Sequence, residues 1–189
     1  MAKKDISSAL VHEHRLILRM LDLLEKRAAL TRSGEYVDYR FYLDGVDFIR
    51  NYADRFHHAK EEDILFEALI NNGMPRANSP VAAMLMEHDQ GRAFVKAMEE
   101  AAGAALAGEP DANRLIAENA LGYVGLLREH IAKEDDILYP LAERVLPVAM
   151  RDEIIAGYEA AEARTPADFE RHYAEIVARY EAQPLVKAA

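Results

Sequence analysis

The sequence predicts an all-α fold, an up-down-up-down four-helix bundle followed by a C-terminal helical hairpin. Three observations support this. Apolar residues recur at three- and four-residue spacing along most of the chain. Ala, Leu, Glu, Arg and Met dominate, and β-branched residues never form the alternation of a strand. Short breaks rich in Gly and Pro divide the first three-quarters into four long segments, the connection length that makes neighbouring helices antiparallel. With 189 residues, 51% of them hydrophobic, the chain can bury a core without staples.

The first helix is expected to start from Asp5 or Ser8 as a cap, to carry Leu10, His14, Ile17, Leu18, Leu21 and Leu24 on one face, and to close at Ser33-Gly34. The second starts near Glu35 and carries Phe41, Phe48, Tyr52, His57, Glu61, Leu65 and Leu69 before Asn71-Asn72-Gly73-Met74-Pro75 breaks it. Its length suggests an early loop or a bend near Gly45. Ser79-Pro80 supplies a cap and a first-turn proline for the third helix, with Met84, His88, Phe94 or Val95, and Met98 inward, ending between Gly103 and Gly108. Pro110-Asp111 opens the fourth, which runs through Leu115, Tyr123, Leu127, His130, Glu134 and Leu138 to Pro140 or slightly beyond. After Leu146-Pro147, amphipathic stretches near 148–163 and from Thr165-Pro166 to Pro184 form a hairpin expected to pack on the bundle. The expected division is a bundle over residues 1–146 and a C-terminal extension over 147–189.

Composition excludes several classes of function. There is no Cys, which removes disulfides, iron–sulfur clusters, thiolate zinc sites and thiol redox chemistry. The net charge of −10 disfavours a nucleic-acid partner, whose binder normally carries the surplus of Lys and Arg. Met1-Ala2-Lys3-Lys4 is not followed by an apolar run, and no stretch approaches a membrane-spanning length. A soluble cytoplasmic protein is expected, without nucleic-acid or membrane partners.

One decapeptide is written twice. His57-His58-Ala59-Lys60-Glu61-Glu62-Asp63-Ile64-Leu65-Phe66 returns as His130-Ile131-Ala132-Lys133-Glu134-Asp135-Asp136-Ile137-Leu138-Tyr139, offset by 73 positions. Ahead of each copy stands a second repeat, Glu13-His14 and Glu87-His88, offset by 74. His and Glu at i and i+4 share a helical face, where an imidazole and a carboxylate can grip one metal. A lone pair of this kind would usually be an exposed contact worth a few tenths of a kcal/mol; duplication with matched histidines on two other helices argues for a metal site. The candidate ligands are His14, His57, Glu61, His88, His130 and Glu134. The alternative register, His58 with Glu62, has Ile131 and Asp135 as its counterpart, so the repeat selects His57 and Glu61. His12 and His172 are expected at the surface, as solvated neighbours are expected of Glu13, Glu87 and Asp89. Tyr123, Tyr52, Phe48 and Met84 are expected to pack the core, Tyr123 being also able to line a cavity.

Six nitrogen and oxygen donors exceed a tetrahedral zinc site and suit iron or manganese at higher coordination number. Two octahedral ions need about twelve positions; four imidazoles and two bridging carboxylates fill about eight, a bridging oxide or hydroxide about two more, and roughly one stays open on each ion. Open positions admit dioxygen, nitric oxide, peroxide or azide-like ligands.

These residues resemble the hemerythrin-like, or HHE cation-binding, domain over roughly residues 8 to 146. The resemblance rests on Glu13-His14, His57-x-x-x-Glu61-Glu62-x-Ile64-Leu65-Phe66, Glu87-His88-Asp89 and His130-x-x-x-Glu134-x-x-Ile137-Leu138-Tyr139-Pro140. The motif is most similar to the four-His, two-Glu di-iron domain of the Repair of Iron Centres proteins, and implies a carboxylate-bridged non-haem di-iron site on the six residues, with a role in oxidative or nitrosative stress. Oxygen-carrying hemerythrins have a fifth His where this chain has Met84, so the resemblance does not extend to simple oxygen carriage. The Repair of Iron Centres proteins carry a Cys-containing domain ahead of a bundle that here is expected to begin almost at Met1; activities needing that domain are not implied. Three functions follow as expectations: binding of a small diatomic or peroxide ligand, reduction of peroxide or nitric oxide, and a metal-responsive sensor or iron-handling module.

Overall fold

The structure, a computed structural model, describes residues 4–185. Among these it is all-helical, with six helices and no strand. Helix α1 is Ser8–Arg32. Helix α2 runs over 40–71 without interruption, and α3 is Pro80–Leu106. Helix α4 spans 112–145, followed by α5 at Val148–Glu162 and α6 at Phe169–Ala182. The outer ends of the two expected spans, residues 1–3 and 186–189, lie outside the described residues.

Side-chain pairs give the direction of each helix. Thr31 meets Tyr42 and His14 meets His57, so α1 and α2 are antiparallel. Arg50 with Glu99 and Glu62 with His88 set α2 against α3. His88 with His130, and Arg128 with Asp22 beside His14 with Asp135, close the ring through α4. The arrangement is the expected up-down-up-down bundle. Helices α3 and α4 approach closely at Gly122, where an added Cβ would come within 2.6 Å of the Phe94 ring.

The start and stop signals act through local hydrogen bonds. Asp5 Oδ1 accepts from the amides of Ser7 and Ser8 at 2.9 and 2.8 Å, covering free donors at the start of α1. At its end Gly34 takes φ +77, and the Glu35 amide returns to the Leu30 carbonyl at 2.9 Å. Ser79 Oγ accepts from the Ala82 amide ahead of α3.

Several details differ from expectation. Helix α2 begins at Arg40, five residues later than the apolar pattern suggests, and Gly45 sits inside it, buried against Leu24. The early loop lies ahead of Arg40, and past Gly45 the helix continues and widens into π turns over Ile49–His58 and Glu61–Phe66. Helix α4 does the same over Glu134–Leu138, where the Tyr139 amide bonds back to the Glu134 carbonyl. Pro140 follows in the first turn of resumed α-helix, where a missing N–H is tolerated, so the chain stays helical to Val145. Leu115 is exposed and Ile116 takes the inward place; of the two alternatives on α3, Val95 is buried and Phe94 packs partly buried against the same cluster.

Two apolar clusters fill the bundle. The larger joins Leu21, Leu24, Phe41, Phe48, Met98 and Ile116; the smaller joins Leu10, Leu65, Leu69, Val81, Met84 and Leu138. The hairpin covers both, with Ile154 and Tyr158 of α5 in the smaller cluster and Tyr173, Val177 and Tyr180 of α6 in the larger. Arg27, buried in α1, donates to the Tyr180 carbonyl at 2.6 Å and lies over the Phe41 ring, tying α6 to the bundle. No helix among the described residues is long and apolar enough to cross a membrane. Between the two clusters lies a layer of buried polar side chains.

Candidate metal centre

That layer contains all six candidate ligands. His14, His57, Glu61, His88, His130 and Glu134 are each no more than 2% exposed. The imidazoles meet in two pairs: His14 Nε2 stands 2.9 Å from His57 Nε2, and His88 Nε2 stands 3.0 Å from His130 Nε2. Each carboxylate spans the pairs. Glu61 Oε2 is 3.6 Å from Nε2 of both His57 and His88. Glu134 reaches His14 through Oε2 at 3.4 Å and His130 through Oε1 at 3.1 Å.

The opposite nitrogen of every ring is held by a carboxylate. His57 Nδ1 meets Glu13 at 2.8 Å, His130 Nδ1 meets Glu87 at 2.9 Å, His14 Nδ1 meets Asp135 at 2.9 Å and His88 Nδ1 meets Glu62 at 2.7 Å. A carboxylate at Nδ1 fixes the proton there and turns the Nε2 lone pair inward. Two lone pairs within 3 Å repel each other unless a cation or a proton lies between them. Glu61 Oε2 and both Glu134 oxygens are likewise buried without a hydrogen bond, the close histidine nitrogens lacking the geometry for one. A buried orphan carboxylate oxygen is costly unless paired or metal-bound.

The donors therefore fit metal ions. At metal–nitrogen bonds of about 2.1 Å, donors at right angles stand ~3.0 Å apart and tetrahedral donors ~3.4 Å. The observed spacings of 2.9 and 3.0 Å match donors at right angles rather than tetrahedral ones.

The electrostatics reflect the crowding. Burial, and next the charge of Glu134, push the Glu61 carboxyl well above its ordinary range. Burial acts the same way on Glu134, but the nearby His130 and His14 rings outweigh it and hold that group low. Burial and then His14 hold the His57 ring well below its ordinary value. Burial also opposes charge on His14, yet Asp135 and Glu134 raise it to about 9. Cations and protons compete for the same lone pairs.

Sequence reasoning missed part of the site. Glu13, half-buried Glu87, Glu62 and Asp135 are not idle neighbours but the carboxylates that orient the rings; Asp89 alone of the expected solvated residues is exposed, paired with Arg92. Lys60 and Lys133 in turn hold Glu13 and Glu87. The signal was present, because every one of these residues belongs to the repeat. His12 and His172 are exposed, as expected.

The copies also differ. Tyr139 donates to Glu61 Oε1 at 2.6 Å and stacks on His14, whereas its counterpart Phe66 stacks on His88 with no hydroxyl. His58, whose counterpart is Ile131, lies parallel to His88 at 3.8 Å between centroids. It is near Glu61, His88 and His130, but a ring stacked flat on His88 cannot share an in-plane ion with it in this rotamer. Burial and the nearby His88 lower His58 to about 4.

An antiparallel helical bundle with a buried set of imidazoles and carboxylates able to hold cations defines a class of metal-binding protein. The hemerythrin HHE cation-binding domain family matches residues 5–142, and the chain belongs to that family. Uncharacterized protein Rv1995 of Mycobacterium tuberculosis and Uncharacterized protein Mb2018 of Mycobacterium bovis are each 21% identical to it over 155 residues, 82% of this chain and 60% of theirs. The chain thus spans about three-fifths of the length of these curated relatives. No solved structure matches it.

Proposed function

We propose that the chain is a non-haem di-iron protein, with His14 and His57 on one iron, His88 and His130 on the other, and Glu61 and Glu134 bridging. The observation that carries this reading is the pair of imidazole contacts, each with its lone pairs turned inward, spanned by carboxylates with orphan oxygens. Four imidazoles and two carboxylates are the donor set implied by the resemblance to the Repair of Iron Centres proteins. A bridging oxide or hydroxide completes the count and leaves about one position per ion for dioxygen, nitric oxide or peroxide. Manganese or zinc can substitute. When bound, the irons would supply binding or modest redox chemistry toward these ligands in an oxidative or nitrosative stress role, in the cytoplasm. The chain's own part is to orient the rings through Glu13, Glu62, Glu87 and Asp135 and to hold the layer between two apolar clusters.

Anaerobic loading with ferrous iron should give about two irons per chain, and exposure to air should bring oxo-to-iron absorption. One iron or fewer, with no such absorption, overturns the reading.

A second reading has its own observation. Buried Lys60 contacts Glu13 on one side and Glu162 of α5 on the other at 3.0 Å, so the hairpin is linked through Glu13 to His57. A metal-responsive sensor would use this link. It predicts different protease sensitivity of α5 and α6 in metal-free, ferrous and ferric protein; equal sensitivity removes it.

A further inference from the structure

Beside the His88 pair, between α2, α3 and α4, lies a cavity of about 80 Å³. Its walls include Ile49, Val95 and Leu127 together with the charged Arg50, Asp54 and Arg92, and His58 and His88 also line it. A water needs only about 10–15 Å³ of such space, so a molecule of two or three heavy atoms fits together with a water. The repeat explains why the space exists. Gly91 on α3 stands where α1 has Ile17, a residue only 2% exposed, so one copy fills the position that the other leaves open.

Two polar atoms on the cavity's lining residues have no partner. The Tyr123 hydroxyl belongs to a side chain 2% exposed and His58 Nδ1 to one 6% exposed; neither makes a hydrogen bond. Asp54 Oδ1 comes no closer than 3.5 Å to His58 Nδ1, and its carboxylate is taken by Arg92. Leaving a buried hydroxyl unpaired costs on the order of 1–3 kcal/mol, so a pocket that holds two such groups beside apolar walls and the charged Arg50, Asp54 and Arg92 is suited to a guest that supplies what they lack.

We propose that this cavity binds a small hydrogen-bond-accepting molecule of two or three heavy atoms, with Tyr123 donating to it and His58 beside it, next to the His88–His130 ion. The proposal rests on the di-iron reading and adds a selectivity: the pocket favours guests that accept a hydrogen bond over apolar ones of equal size. Tyr123 and His58 are specificity-determining side chains here, not ligands of the metal.

Azide is the probe. Iron-loaded wild-type protein should bind it with an azide-to-iron absorption band. Tyr123→Phe should weaken azide about tenfold, and Gly91→Ile, which restores the residue of the other copy, should weaken it at least as much. The added Cβ meets Tyr123 at 3.5 Å, an ordinary contact, and an unchanged far-ultraviolet spectrum with wild-type iron content checks that the longer side chain is accommodated. Both should keep the wild-type iron content. Unchanged azide affinity in Tyr123→Phe overturns the role of the hydroxyl, and unchanged affinity in Gly91→Ile overturns the cavity. Two irons with no azide band in wild type overturns the inference while the di-iron reading stands; an iron content of one or less overturns both.

Discussion

The two halves of the polar layer share their donors and differ in what surrounds them. Around His14 and His57 the structure is closed: Lys60 is fully buried, pinned by Glu13 and Glu162 and lying 3.8 Å from the Phe56 ring centre, and Ile17 fills the space behind. Around His88 and His130 it is open: Lys133 is 40% exposed, Gly91 leaves a cavity, and the charged Arg50, Asp54 and Arg92 line it. The counterparts of Asp54 and Arg92 in the repeat are the uncharged Leu127 and Leu18. The two copies present the same donors, and they differ in that one half is enclosed and the other borders a cavity.

The largest effect expected is one that breaks both halves together. Each Glu134 oxygen serves a different imidazole pair, so Glu134→Ala should reduce the iron content from about two to less than one per chain. The circular dichroism of the helices should persist, because the clusters on either side of the layer are formed by apolar residues. Metal analysis of the loaded protein beside its far-ultraviolet spectrum checks both. Loss of helix along with metal would make the centre part of the fold and remove the distinction between grip and support.

A smaller effect should separate the halves. Lys60→Met removes the cation between two carboxylates in a buried place, and breaking such a pair costs about 3 kcal/mol. Lys133→Met removes a half-exposed cation and should cost less than about 1 kcal/mol. Denaturant unfolding of the metal-free proteins measures the difference. Equal losses would mean that the hairpin does not close the first half in the way its contacts indicate.

The division between what the sequence disclosed and what it concealed follows from periodicity. Helix existence, order and capping were legible because they depend on local pattern, as with Asp5, Gly34 and Ser79. The π turns were not, since the 3.6-residue template cannot represent them; they include the candidate ligands His57, Glu61 and Glu134. Nor could pattern alone show that Pro140 would stay within a helix. Within the site, convergence of the six side chains was legible from the paired offsets. Glu13 and Glu87 were set aside because a residue adjacent to a ligand points away from it on its own helix; each in fact faces a ring on the next helix, a relation visible only in three dimensions. His58 and Tyr139 were hidden for the opposite reason, because they stand where the copies disagree.

The smallest effect tests that disagreement directly. The Tyr139 hydroxyl gives Glu61 a hydrogen bond that Phe66 cannot give Glu134. A group that orients a ligand carboxylate from outside is worth roughly tenfold in metal affinity. Tyr139→Phe should therefore weaken iron by about that factor while preserving a count of about two, measured by competition with a chelator of known strength. The ring is buried against His14 and the substitution removes only an oxygen, so packing is retained. An affinity unchanged within twofold would show that Glu61 is oriented by its helix and by the ions alone, leaving the enclosure at Lys60 and the cavity at Gly91 as the differences that distinguish the halves.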